Sequence, residues 1–197
     1  NVTVFVTGNT DSASERLIAG TFSAIPHGTP SPKLPRITTF DKTTNFVYQP
    51  MEGCLQSSII LSSISIGYNH PDRTAFSVLN TLTGGYFSSR LMQNLRERQG
   101  LTYGITSAST YFGEQSVFAI SSDVNASQTA HAIDSCFEEL QRLQDEPVSE
   151  QELTMVKNYI AGIQLRAADT TVNAMQKYAY FHTFGLDESE MYRYLTD

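Results

Sequence analysis

The sequence predicts an α+β fold of two layers, a mostly antiparallel sheet packed on helices. Three observations carry that reading. Two runs rich in β-branched and aromatic residues flank Gly113-Glu114, the pattern of an antiparallel hairpin. After the hairpin only helical periodicities remain, through to the end of the chain. Strands grouped apart from a helical tail indicate an α+β layer fold rather than alternating βαβ units.

Taken in order, Val2 to Thr7 reads as a buried strand that Gly8 breaks. Asp11 or Ser12 caps a helix to about Ser23, with Ser12 and Glu15 at capping-box spacing and Leu17, Ile18 and Phe22 as its buried face. Four prolines and Gly28 between Pro26 and Pro35 mark a linker, the clearest boundary in the chain. Phe46 to Tyr48 is a short strand candidate. Leu55 to Ile66 is a long one, with Ile60, Ile64 and Ile66 on one face and Ile59 and Leu61 on the other, which predicts a central strand. Asp72 to about Leu82 reads as a helix with Phe76 and Leu79 inward.

The hairpin strands run from about Thr102 to Phe112 and from Ser116 to Val124. Asn125 caps a long helix whose face is Ile133, Cys136, Phe137, Leu140 and Leu143, ending before Pro147. Ser149 and Glu152 form a capping box for the next, with Val156, Ile160 and Ile163 inward. A further helix, about Thr171 to Thr183, stops at Gly185. The chain opens in a strand without an initiating Met and closes on a helical pattern, Met191 to Leu195, with no stop signal. It reads as a piece of a larger protein, so the lack of a leader says nothing about compartment.

At 197 residues the chain is long enough for a real core. Its 40% hydrophobic and 17% charged residues fit a soluble globular protein, and no apolar run spans a bilayer. A net charge of −7 argues against nucleic acid or an anionic membrane as partner, since phosphate binding needs clustered Lys and Arg. Cys54 and Cys136 form no metal or redox motif and read as small buried hydrophobes rather than a disulfide.

The stretch from Gly84 to Gly104, GGYFSSRLMQNLRERQGLTYG, carries the most information. Gly84-Gly85 predicts a turn, Ser88 or Ser89 a cap, and Leu91, Met92 and Leu95 the buried stripe of a helix. Arg96 and Arg98 fall in its last turn, where cations complement the exposed carbonyls, and Gly100 serves as a left-handed stop before the first hairpin strand. This stretch resembles the signature of the metal-free half of the pitrilysin (insulinase-type) zinc peptidases. The elements that match are Gly84-Gly85, Ser89-Arg90-Leu91, Leu95-Arg96-Glu97 and Gly100-Leu101-Thr102-Tyr103.

The resemblance implies a pitrilysin/processing-peptidase-like metallohydrolase fold and the inactive C-terminal half of a zinc endopeptidase. Residues 1–28 would then be a strand–helix unit closing the preceding half, 29–36 the linker, and 37–197 the inactive domain. Val2 to Thr7 is expected to dock on an open sheet edge. In the family an Arg and a Tyr at this spacing reach substrate held at the zinc of the other half, which implies substrate contact by Arg96 and Tyr103. The implied partners are a peptide substrate and a His-x-x-Glu-His half, in the same chain or another subunit, and zinc would reside in that half. Some family members have lost catalysis, so a non-enzymatic structural or assembly subunit is the alternative function.

The residues themselves suggest little other chemistry. The inverted motif His-x-x-Glu-His is missing, and His27, His70, His131 and His182 stand isolated, with His182 the best placed of them. No catalytic residue and no metal ligand is therefore assigned in this chain. Gly84-Gly85 before a helix could cradle a phosphate, the only support for a small-molecule-binding domain, but no GKS/T or GxGxxG pattern follows. Glu138-Glu139 and Glu150/Glu152 read as solvated carboxylates, and no His or Asp is placed to activate Ser57, Ser58, Ser62 or Ser63.

Overall fold

The structure is a computed structural model that describes residues 2–26, 28–29, 46–112, 115–167 and 169–186. Most of the Pro26–Pro35 linker, His27, the Gly113-Glu114 turn and the Met191–Leu195 pattern lie outside the described residues. Three strands, β1 (Gln56–Ile66), β2 (Thr102–Phe112) and β3 (Gln115–Asn125), form an antiparallel sheet in the order β1-β3-β2. The hairpin is the one predicted, with Ala108 opposite Ala119. β1 pairs along the whole of β3, from Gln56 opposite Asn125 to Ile66 opposite Gln115.

β3, not β1, is therefore the central strand of the described sheet. On β1 only Ile59 and half-buried Leu61 reach the core, while Ile60 is 71% exposed. Serines between the isoleucines leave the outer face of β1 too weakly apolar to demand a cover. Phe46 to Tyr48 forms no strand and is exposed. Val2 to Thr7 also pairs with none of the described strands, which overturns the expected docking on a sheet edge.

The helices are α1 (Ser12–Ser23), α2 (Arg73–Asn80), α3 (Thr129–Asp145), α4 (Glu150–Arg166) and α5 (Thr171–Thr183). Residues 2–7 lie against α5 instead of the sheet. Phe5 meets the Tyr178 and His182 rings edge-on, and Thr7 Oγ1 donates to Thr171 O over 3.3 Å. Phe5 and Thr7 of the alternating run face that helix, while Val2, Val4 and Val6 stay exposed. Asp11 caps α1 by accepting from Ser14 N, but α1 buries nothing, and Leu17 and Phe22 are exposed.

α2 does not end at Leu82 but widens into a π-wound turn, Thr81–Gly85. The Thr81 and Thr83 hydroxyls donate to the carbonyls of Ser77 and Leu79, four residues back, and compete with the helical ladder. Phe76 is half-buried and Leu79 is exposed, contrary to the inward expectation for the latter. The chain turns only after the two glycines, where Ser89 N donates to Tyr86 O. Neither glycine has a positive φ.

The main core joins Ile59, Ile105, Ile120 and Val124 of the sheet to Leu91, Met92 and Leu95 and to Ala132 and Cys136 of α3. Burial drives the Cys136 thiol up to about 12. Cys54, expected inside, is exposed. α3 starts one 3-10 turn after Asn125, whose side chain accepts from Ser127 N. Phe137 turns outward from it. A second cluster packs Leu82 on Val156 and Ile160 of α4, whereas Ile163, expected inward, is exposed one turn beyond them.

Candidate functional site

The helix after the Tyr86 turn is wound as a π-helix over Met92–Arg98. Leu91, Met92 and Leu95 are buried as the stripe predicts. The serine caps do not form: Ser89 Oγ is buried with no hydrogen-bond partner among the described residues. The helix closes at Gly100, whose φ of 63° lies in the left-handed region. Gly100 N donates to Arg96 O and Leu101 N to Leu95 O, so the last carbonyls are satisfied as the chain swings into β2.

Arg96 and Tyr103 sit on either side of that swing. The Arg96 guanidinium lies 4.6 Å from the centre of the Phe87 ring, and its Nε is 3.7 Å from Glu97 Oε1. A stack on one face and a carboxylate at one edge orient the fork and leave donors for a planar acceptor. Tyr103 is 92% exposed and forms no hydrogen bond among the described residues.

The exposure of Tyr103 has a local cause. Pairing runs from Thr102 opposite Val124 to Ile105 opposite Ser122, so β2 carries one residue more than β3 across Tyr103-Gly104. Such a bulge frees a side chain from strict alternation and re-aims it. The backbone it orphans is taken up by hydroxyls. Thr102 Oγ1 donates to Asp123 O over 2.7 Å and accepts from Gly104 N, and Ser122 Oγ donates to Gly104 O over 2.9 Å. Phe87 and the bulge had no signature in the sequence, since one is an exposed aromatic in a turn and the other depends on the register of a second strand.

Two further ties surround the helix. Arg90 forks onto Glu152 in the first turn of α4, at 2.9 and 2.8 Å. Those hydrogen bonds hold the Glu152 carboxyl below its ordinary value. Ser149 still caps α4, but Glu152 answers Arg90 instead of being solvated. Glu139, also expected in solvent, is 3% exposed and accepts from Asn94 and Arg142. A polar groove of about 370 Å³ lined by Arg90, Gln93, Arg98 and Arg142, and an apolar one of about 170 Å³ lined by Phe76, Phe118 and Leu140, include neither Arg96 nor Tyr103.

The zinc of the resembled family does not fit these residues. Among the described residues no three of His, Cys, Asp and Glu are grouped to hold a metal ion. His70 Nδ1 sits 3.8 Å from Asp72 Oδ2, His131 is exposed, and His182, also exposed, meets the Phe5 ring edge-on and stacks on Tyr178. No described helix is long and apolar enough to cross a membrane.

The fold and the joint can be compared with known proteins. The chain is 30% identical over 190 residues to an uncharacterized zinc protease of Rickettsia felis, covering 91% of this chain and 41% of that protein. It is 27% identical over 122 residues to an uncharacterized zinc protease of Streptomyces coelicolor, covering 62% of this chain and 27% of that protein. The chain thus spans well under half the length of these relatives. The crystal structure of a peptidase M16 inactive domain from Pseudomonas fluorescens shares the fold, with a TM-score of 0.66 at 24% identity over 72% of this chain and 34% of that one. The family model described as peptidase M16 inactive domain matches residues 1–160, so this chain belongs to the peptidase M16 family as one of its inactive domains.

Proposed function

We propose that this chain is the non-catalytic half of a zinc metalloendopeptidase, forming one wall of a chamber and touching the peptide held in the other half. Residues 37–197 form that half, and residues 1–28 close the preceding one. Zinc and general base come from the His-x-x-Glu-His half, and no step runs through a metal in this chain. The observation that carries the reading is Tyr103, an aromatic residue 92% exposed on a hydroxyl-braced bulge, across the Gly100 turn from an Arg96 oriented by Phe87. A phenol left so uncovered contributes almost nothing to packing here, whereas it can donate to charge developing on a scissile carbonyl. The Arg96 fork can hold a peptide carbonyl or carboxylate in one plane.

Kinetics in the complete, zinc-loaded enzyme test this. Tyr103→Phe keeps the ring and deletes the hydroxyl, and kcat falls by about 10²–10³ if the phenol is an oxyanion donor. Arg96→Ala raises KM with kcat little changed, the signature of an interaction made in both ground and transition states. Wild-type constants in both variants sink the contact role and leave the structural or assembly subunit as the better reading.

A further inference from the structure

The buried carboxylate of Glu139 serves no role in the function just described, and leaving a carboxylate out of water is costly unless its lone pairs are met. Its partners explain its place. Asn94 Nδ2 donates to Glu139 Oε1 over 3.0 Å, and Arg142 Nη1 donates to the same oxygen over 2.7 Å. Asn94 Oδ1 accepts from Gln99 Nε2 over 2.8 Å, and Gln99 Nε2 also reaches Ser135 Oγ over 3.1 Å. Ser135 is 1% exposed. Four side chains thus tie the π-helix Met92–Arg98 and its exit to α3.

The tie is specific to the π winding. Gln99 N donates to Asn94 O over 3.0 Å, five residues back, and the side chains of the same two residues are bonded to each other. An α-helical register would pair Gln99 N with Leu95 O instead and turn Asn94 away from Gln99. π turns are rare because the extra residue is unfavourable without outside support. Asn94 and Arg96, two positions apart, point to roughly opposite sides of the helix. Asn94 is held on α3, and Arg96 lies over Phe87.

We propose that Asn94, Gln99, Ser135 and Glu139 are positioning residues. They hold the π register, and through it the direction in which Arg96 is presented to substrate. The second clause rests on the substrate-contact reading of Arg96, whereas the first does not. A satisfied buried network of this kind selects one arrangement over competing ones, in this case the helical register.

The test uses the complete two-half enzyme and two readouts. In hydrogen–deuterium exchange, Gln99→Ala and Asn94→Ala speed exchange of the amides from Gln99 to Leu101 by about tenfold or more, with the sheet unchanged. Glu139→Gln retains an acceptor for Asn94 and stays near wild type. In kinetics, Gln99→Ala raises KM by roughly threefold to tenfold with kcat nearly constant, and its effect vanishes when Arg96 is already Ala. Unchanged exchange in both helix variants overturns the network. A KM effect that adds in full to that of Arg96→Ala shows that the network does not act through Arg96. Faster exchange combined with a wild-type KM for Arg96→Ala keeps the register role and removes the substrate reading alone.

Discussion

Gly84 sits where a side chain has no room. A Cβ built there would stand 2.6 Å from Ser107 N and 2.9 Å from its Oγ, because the π turn after α2 lies directly on β2. Ser107 is held in place in turn, its hydroxyl donating to both the carbonyl and the side chain of Asn80. Gly84→Ala must push helix and strand apart, and we expect a loss of about 1–3 kcal/mol, read as a lower urea midpoint with unchanged m-value. Gly85→Ala meets nothing nearer than the Asn80 carbonyl oxygen, at 3.2 Å, and is the milder control. The sequence marked this pair of glycines but for another reason. A turn needs glycine for its dihedral freedom, whereas Gly84 is required for close approach, and only the partner strand reveals that. Glu139 teaches the same lesson with the opposite residue type. Helical periodicity placed it off the apolar stripe, and it is buried because Asn94 of another element meets it.

At the scale of elements, Arg90 and Glu152 join the start of one helix to the start of another, with side chains only 16% and 24% exposed. The folded-state value of Glu152 is depressed, so its contribution is present above the ordinary value of 4.5 and is lost as pH falls through the depressed one. Glu152→Gln therefore lowers stability at neutral pH by about 1–2 kcal/mol, for a forked pair that is partly open to solvent. At acid pH, once the pH has fallen through that depressed value, the wild-type carboxyl is itself protonated and the gap closes. Urea unfolding of both proteins at the two pH values checks this, and a gap independent of pH would assign the effect to packing. The Ser149-to-Glu152 spacing predicted a reciprocal cap. Half of it forms, because a bidentate guanidinium outbids a single backbone N–H for the carboxylate.

For the molecule as a whole, no three of His, Cys, Asp and Glu are grouped to hold a metal ion among the described residues, and the purified chain is expected to carry far less than one zinc per molecule. Metal analysis by mass spectrometry decides it. Stoichiometric zinc that survives gel filtration, and is lost on replacing two of the histidines, would contradict the inactive-half reading. The helices cover one face of the sheet through Leu91, Leu95, Ala132 and Cys136. Arg96 and Tyr103 leave that layered core at the Gly100 turn, from the end of the helix and the start of β2 respectively.

What the sequence determined by itself is what depends on neighbours along the chain. The apolar period of Leu91, Met92 and Leu95, the left-handed stop at Gly100, the hairpin, and the Asp11 and Ser149 caps are local choices of dihedral and face, and each is seen in the structure. The spacing of Arg96 and Tyr103 was legible for the same reason. Tertiary structure alone decided whatever depends on a second element. It set the edge position of β1 in the described sheet, the bulge that turns Tyr103 outward, the Phe87 seat of Arg96 and the burial of Glu139. It also laid Val2 to Thr7 on α5 instead of a sheet edge. A β-branched run records a preference for extended backbone, but which surface it meets is settled only when the competing surfaces exist.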